Sequence, residues 1–263
     1  MYKIIEFLVK SNISLAVCAA LISMSFAPYA KTTFLWGALV YLLVFTLYTT
    51  HRLIKWNFVQ LDNEWQDWYS ATRRVLIPLV IVHFLGTCYM LFFWLQVKWS
   101  STLIIILLLT LWYLVPNSLL SLRRIPFLKA IIVALVWTYV LILLPHQQLE
   151  KYPSEWFWRL GFFFYFLHLA ILSDIKDINL DPIEWKTIPS VLGIRTAKWV
   201  SLVFALLAFS FFVLSPLTQN SLWIGVLYLS SWYFLERKSV AASNSYDKLL
   251  LILTILFLMI RVL

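Results

Sequence analysis

The chain has 263 residues, of which 62% are hydrophobic and only 13% are charged, and its formal net charge is +9. Ordinary soluble domains carry about 25% charged residues, so this composition excludes an ordinary soluble domain. Continuous apolar runs predict an all-α polytopic membrane protein, because each helical crossing needs roughly 20 apolar residues and a membrane barrel would need alternating strands. We attribute the positive charge to cytoplasmic loops and expect no nucleic-acid partner.

The apolar runs predict about nine transmembrane helices in a single domain, residues 1–263. The runs fall at about 12–29, 33–48, 75–97, 101–120, 127–145, 156–173, 198–216, 220–235 and 248–263. Residues 2–10 precede the first run and are typical of a short amphipathic helix on the membrane surface, with Lys3, Glu6 and Lys10 on one face. A signal-peptide cleavage site is not clear and a second apolar run follows at once, so we expect the first span to be retained.

The distribution of positive charge predicts the orientation. With the N-terminus in the cytoplasm, sixteen of the 21 Lys and Arg residues fall on the cytoplasmic side. Two long charged loops, residues 49–74 and 174–197, then also face the cytoplasm. Because cytoplasmic segments collect Lys and Arg, we expect a protein of a bacterial inner membrane with its N-terminus inside and its C-terminus outside.

Three aspartates, Asp174, Asp177 and Asp181, follow the sixth predicted span. On a continuous helix they would share one face, where like charges repel unless a cation lies among them. Mg²⁺ suits carboxylate oxygens and commonly binds phosphate groups as well. Two structural alternatives stay open. The charges can simply end a solvated helix, and Asp181 before Pro182 is also typical of a helix N-cap.

The segment DIKDINLDPIEWKTIPSVLG, residues 174–193, resembles the second aspartate motif of the UbiA-type intramembrane prenyltransferase superfamily. That motif has three spaced aspartates, a Lys and a T-L-P-x-x-L-G run. Residues 122–137 are similar to the stretch that joins the fourth and fifth helices of the family. The resemblance implies a helical bundle around a central cavity open to lipid. It also implies transfer of a prenyl group from a Mg²⁺-bound prenyl diphosphate to an acceptor, often an aromatic ring.

The resemblance also assigns residues. It implies that Asp174, Asp177 and Asp181 hold Mg²⁺ and that Lys186, inside the motif, contacts the diphosphate. Arg123, Arg124 and Lys129 lie in a region that helps to bind diphosphate in the family, although anchoring at the membrane face would also explain them.

The chain departs from the family at the end of the second span, where a first aspartate motif is expected. The sequence there is LYTTHRLIKWNF, residues 47–58, with His51 and Lys55 at the expected carboxylate positions. In one interpretation, the chain has lost catalysis because the first carboxylates are missing. In the other, His51, Arg52 and Lys55 contact diphosphate oxygens as fixed cations. Equally, Arg52 and Lys55 can be membrane anchors whose charged ends reach the water.

Two histidines, His83 and His168, lie inside apolar spans. An ionisable group in the membrane interior is a functional candidate, and a neutral, hydrogen-bonded histidine is the structural alternative. At the level of function, a non-catalytic homologue that binds an isoprenoid lipid or a membrane partner is the main rival to a prenyltransferase. A transporter is less consistent with the sequence, because the charges crowd at one predicted membrane face.

Overall fold

The computed structural model describes residues 7–8, 10–26, 30–56, 63–94, 100–114, 125–144, 155–178 and 185–215. Within these ranges all regular structure is helical, as the apolar runs predict, and there is no strand. The chain divides into two compact units, Met1–Leu119 and Leu120–Leu263. The prediction of one transmembrane domain stays a prediction.

Four helices form the described part of the first unit. They are α1 (Ile13–Phe26), α2 (Ala30–Trp56), α3 (Asn63–Tyr89) and α4 (Ser101–Leu114), and α3 continues as a π-helical turn, Met90–Trp94. Helix α2 packs against both α1 and α3. Phe45 of α2 is fully buried, and its ring centroid lies 4.2 Å from that of His83 on α3.

The second unit is built around α6. Its described helices are α5 (Leu128–Thr138), which continues as a π-helical turn at Tyr139–Leu143, α6 (Glu155–Lys176), α7 (Ile188–Leu192) and α8 (Ile194–Leu214). Helix α6 packs against both α5 and α8. Gly161 brings α6 close to α8, because a Cβ at this position would lie 2.8 Å from the ring of Phe212. The fully buried Phe162 meets that ring edge-on, with centroids 5.0 Å apart.

Four of the described helices are long and apolar enough to cross a membrane. These segments are Phe34–Ile54, Gln66–Trp94, Trp156–Lys176 and Ile194–Leu214. Large apolar side chains are exposed along α3, including Val82, Leu85 and Phe93, as lipid contact requires. Together these features indicate a membrane protein.

Nine spans are not confirmed. Three predicted spans correspond to shorter apolar helices, Ile13–Met24, Ser101–Tyr113 and Leu128–Leu143. The predicted spans at 220–235 and 248–263 lie outside the described residues. The central cavity stays a prediction.

Much of the two predicted loop segments, residues 49–74 and 174–197, is helical where the structure describes them, and their cytoplasmic location stays a prediction. Helix α2 runs on to Trp56 and α3 begins at Asn63, while α6 continues to Lys176 and α8 begins at Ile194. Each helix was predicted to end where its apolar run ends. A helix keeps its backbone hydrogen bonds after it leaves the apolar layer, so charged residues simply extend it.

Candidate functional site

Lys129 and Asp174 form a buried ion pair in the second unit. The Nζ atom of Lys129 lies 2.7 Å from Oδ1 of Asp174, and their side chains are only 10% and 5% exposed. Lys129 belongs to the first turn of α5, and Asp174 to the last turn of α6. The packing of α5 against α6 therefore joins a residue predicted to bind diphosphate to a residue predicted to bind metal.

Lys129 lies where a cation needs a partner. The N-terminal end of a helix carries a partial positive charge, so a lysine in the first turn is unfavourable unless an anion is near. Helix α5 begins after Phe127, whose φ of 66° is in the left-handed region and whose side chain makes no cap hydrogen bond. The Asp174 carboxylate therefore places negative charge beside the Lys129 ammonium and the N-terminal end of α5.

Trp185, in the segment that follows the aspartates, lies beside the Lys129 member of the ion pair. Its side chain is buried, and the Lys129 ammonium lies 5.7 Å from its ring centroid, within the range of a cation–π interaction. The Ser190 hydroxyl donates to the backbone oxygen of Trp185 at 3.1 Å and to that of Thr187 at 2.9 Å. These bonds fix the backbone that carries the indole.

The T-I-P-S-V-L-G run, residues 187–193, builds the entry into α8. Thr187 is the N-cap of α7, and its side chain accepts a hydrogen bond from the backbone N–H of Ser190 at 3.4 Å. Residues 185–187 are not helical. A helix begins at Ile188, and the N-cap predicted at Asp181 before Pro182 lies outside the described part of the chain. Gly193, with φ 80° and ψ 156°, joins α7 to α8.

The remaining predicted site residues of this unit are only partly described. Helix α6 ends at Lys176, so Asp177 is the first residue after it, with a side chain 29% exposed and 3.9 Å from the Lys176 ammonium. Lys186 is exposed. Asp181, Arg123 and Arg124 lie outside the described residues. The solvated-end alternative therefore suits Asp177 but not the buried Asp174.

As arranged, the described carboxylates do not fit a shared Mg²⁺ site. Within the described ranges there is no group of three or more His, Cys, Asp or Glu side chains that could hold a metal ion. Lys129 already balances the charge of Asp174, and Asp177 lies beyond the helix end. The carboxylate chemistry suits Mg²⁺, so coordination by the three aspartates stays a prediction that requires the ion pair to open.

The predicted cations of the first unit lie in the last turns of α2, and one of them contacts the N-terminal segment. Arg52 donates through Nη1 to the backbone oxygen of Lys10, and Thr49 Oγ1 donates to that of Ser11 at 3.0 Å. Lys10 itself is buried, with its ammonium 5.9 Å from the Trp68 ring centroid. Lys3 and Glu6 lie outside the described residues, so the amphipathic surface helix of residues 2–10 stays a prediction.

The other two predicted cations are described to different extents. The half-buried His51 has its ring centroid 5.7 Å from that of Tyr113 on α4. Lys55 lies in the last turn of α2, and its side chain is outside the described part of the structure. Contact of these residues with a diphosphate stays a prediction, as does the anchoring role.

Both histidines of the spans have hydrogen-bond partners. The Nδ1 atom of His83 lies 2.7 Å from the backbone oxygen of Leu79. The Nδ1 atom of the fully buried His168 lies 3.0 Å from the backbone oxygen and 2.7 Å from Oγ of Ser201 on α8. A carbonyl oxygen only accepts, so the contact with Leu79 requires the proton on Nδ1 of His83. At His168 the role of Nδ1 depends on the tautomer, because Nδ1 can donate to the Ser201 carbonyl or accept from the Ser201 hydroxyl. The arrangement favours the structural alternative for both residues.

No protein-family model, curated protein or solved structure matches this chain. The resemblance to the UbiA-type superfamily therefore rests on the motif residues alone.

Sequence reasoning missed Trp185 and Ser201. A tryptophan between Glu184 and Lys186, in a charged stretch between two apolar runs, was the available signal for Trp185. Nothing local distinguished Ser201, because its role depends on which residue of α6 lies opposite it.

Proposed function

We propose that this chain is an integral membrane prenyltransferase of the UbiA type. It moves a prenyl group from a prenyl diphosphate to an acceptor, which the resemblance makes an aromatic ring, and it releases diphosphate. The proposal includes a bacterial inner membrane, with the N-terminus and the charged helix ends in the cytoplasm.

The Lys129–Asp174 ion pair is the observation that carries the proposal. Residues 122–137 and residues 174–193 resemble the superfamily independently, and this buried contact of 2.7 Å joins them. An acidic and a basic group of the proposed site are thus close together at neighbouring helix ends. Such charges are costly inside a membrane unless they serve each other or a ligand.

In this reaction the main role of the protein is to bind the diphosphate and to balance its negative charge. The bond between the prenyl C1 carbon and the diphosphate oxygen breaks, and its electron pair leaves with that oxygen. A ring carbon of the acceptor then bonds to the allylic cation, and the ring loses a proton. Lys129 and Lys186 stabilise the leaving negative charge by charge-assisted hydrogen bonds.

Mg²⁺ bound by Asp174, Asp177 and Asp181 belongs to the proposal and supplies further positive charge when present. It requires Lys129 to release Asp174. Membrane lipid surrounds the site and admits the apolar prenyl chain.

The alternative function is a non-catalytic homologue that binds an isoprenoid lipid or a membrane partner. The sequence of α2 favours it, because His51 and Lys55 stand where the family has carboxylates. The contact of Arg52 with the Lys10 backbone also gives one of the proposed diphosphate cations a structural task.

One experiment separates these functions. The purified full chain in detergent is mixed with prenyl diphosphates of several lengths, Mg²⁺ and aromatic acceptors, and both binding and pyrophosphate release are measured. Release supports the transferase. Binding without release in every mixture supports the non-catalytic homologue, and absence of binding overturns the transferase.

Matched carboxylate variants locate the site in the same assay. Asp177→Ala should weaken prenyl diphosphate binding in Mg²⁺ far more than Asp67→Ala, since Asp67 is an exposed residue of α3 outside the motif. If Asp177→Ala and Asp67→Ala weaken prenyl diphosphate binding equally, the aspartate motif is not part of the proposed site.

Lys55→Ala tests the substituted first motif. Loss of a cation that faces the diphosphate should weaken its binding by about 2–5 kcal/mol, as when one partner of a buried charge pair is removed. Unchanged binding would make Lys55 a membrane anchor and would strengthen the non-catalytic alternative.

A further inference from the structure

We infer that Tyr41 and His83, in the first unit, form a binding site for a neutral, membrane-soluble molecule that carries a hydroxyl group. The site lies between α2 and α3, which pack against each other. It uses no residue of the aspartate motif and none of the predicted diphosphate cations. The inference therefore does not rest on the proposed function, and either can fail without the other.

Both residues lie well inside apolar helix segments. His83 is eight residues after Val75 and eleven before Trp94 in the apolar part of α3, which places it roughly 12 to 17 Å from either end at about 1.5 Å per residue. Tyr41 belongs to the apolar segment Phe34–Ile54 of α2, and the two ring centroids are 5.6 Å apart. Water is scarce at such a depth in a membrane, so a polar group here needs a partner from the protein or from a ligand.

Each residue has a hydrogen-bonding atom that its protein contacts leave available. His83 donates from Nδ1 to the backbone oxygen of Leu79 at 2.7 Å, so Nε2 of the neutral ring is an acceptor. The Tyr41 hydroxyl can both donate and accept. Within the described part of the chain neither Nε2 nor this hydroxyl has a hydrogen-bond partner, and both side chains are half-buried and therefore reachable. His83 is thus held like a structural histidine through one nitrogen and keeps the other for a ligand.

Packed apolar contacts hold the two rings in place. The fully buried Phe45 lies one turn after Tyr41 on α2, with its ring centroid 4.2 Å from that of His83 and 6.3 Å from that of Tyr41. The two helices approach closely in this region, because a Cβ at Gly86 would lie 3.3 Å from the Leu42 side chain. A site on two packed helices keeps its hydrogen-bonding atoms in a fixed arrangement, as specific binding requires.

The available atoms define the class of ligand. Nε2 of His83 needs a donor and the Tyr41 hydroxyl can donate in return, so one hydroxyl group on the ligand can bond to both. A ketone or an ether has no donor and can bond only to Tyr41. A charged group is unfavourable in the apolar layer, so the ligand is neutral. Phenols and long-chain alcohols share this chemistry, and the experiment separates them.

Two pairs of tritiated probes test the site, each a hydroxyl compound and its methyl ether. The phenol pair is para-nonylphenol and para-nonylanisole, and the alcohol pair is dodecanol and methyl dodecyl ether. Saturable binding to the full chain is measured in phosphatidylcholine nanodiscs, and partition into empty nanodiscs is subtracted. The parent should bind the hydroxyl compound of at least one pair about tenfold more tightly than its ether, because the ether cannot donate to His83. The pair that shows this preference identifies the source of the hydroxyl.

Conservative variants separate a ligand contact from a structural role. His83→Phe keeps an aromatic ring and should bind the hydroxyl compound and its ether equally, because Nε2 is gone. Tyr41→Phe should weaken binding of both about tenfold and keep the preference between them, because the ligand still donates to His83. Tyr89→Phe, at an exposed tyrosine near the end of α3, is the matched control and should behave as the parent does.

The outcomes are distinct. A parent without a preference in either pair overturns the hydroxyl site, and so does a His83→Phe variant that keeps the preference. If His83→Phe fails to fold, Tyr41→Phe decides, since binding equal to that of Tyr89→Phe overturns the site. Pyrophosphate release measures the proposed function separately, so failure of the hydroxyl site and failure of the transferase are told apart.

Discussion

At the scale of single residues, the second unit joins polar groups of different helices in pairs. Lys129 reaches Asp174 between α5 and α6, and His168 reaches Ser201 between α6 and α8. All four residues are buried. Because burial without a partner is costly, removing one member of a pair should reveal how strongly the other depends on it.

Asp174→Ala should destabilise the protein by about 3–5 kcal/mol, because it leaves the Lys129 ammonium buried without its carboxylate. Unfolding in denaturant from detergent micelles measures the change. Asp177→Ala is the matched control: its carboxylate is 29% exposed and its nearest cation is 3.9 Å away, so a change within about 0.5 kcal/mol is expected. Equal losses for the two variants would contradict the burial of Asp174.

Ser201→Ala should cost only about 0.6 kcal/mol, the average for a hydrogen bond between membrane helices. The loss is small because Nδ1 of His168 keeps its contact of 3.0 Å with the Ser201 backbone oxygen. His168→Ala, which removes a fully buried ring as well, should cost clearly more. The same unfolding measurement checks both variants. Equal losses would mean that the hydroxyl, rather than the carbonyl, is the main partner of the ring.

At the scale of elements, the T-I-P-S-V-L-G run has a structural task in addition to any role in binding. Thr187 caps α7, Pro189 occupies its first turn and Gly193 makes the turn into α8. Proline suits the first turn, where its missing N–H costs nothing. The run therefore fixes the chain that leads from the aspartates to α8, and with it the position of Trp185 over Lys129.

Gly193→Ala should destabilise the protein by about 1–3 kcal/mol, because only glycine adopts its backbone conformation without strain. No neighbouring atom lies within 4 Å of a Cβ built there, so the cost comes from the backbone with φ +80° and not from a clash. Gly86→Ala, inside α3, is the control and should stay within about 1 kcal/mol of the parent. Thermal unfolding in detergent measures both. A neutral Gly193→Ala would contradict the conformation of this turn.

At the scale of the whole molecule, orientation is the property to measure. The sixteen Lys and Arg residues assigned to one side predict that reporter fusions after residues 60 and 185 report the cytoplasm. A fusion after residue 263 should report the outside if nine spans are present. A cytoplasmic signal from the last fusion would contradict the count of nine. An outside signal from the first two would reverse the orientation.

The sequence by itself determined that this protein is helical and apolar enough for a membrane. Both properties depend on composition and on the length of apolar runs, which are local. The resemblances of residues 122–137 and 174–193 also predicted that Lys129 and Asp174 belong to one site. Helix ends were less accurate, since α2 and α6 continue past the last apolar residue.

Only the tertiary structure decided which charged groups meet. Lys129 and Asp174 are far apart in the chain, and the packing of α5 against α6 brings them to 2.7 Å. The contact of Arg52 with the Lys10 backbone depends in the same way on the fold of the first unit. Sequence periodicity shows which face of a helix a residue occupies. The residue that lies opposite depends on how two helices cross, and this is set by the side chains packed along the whole contact.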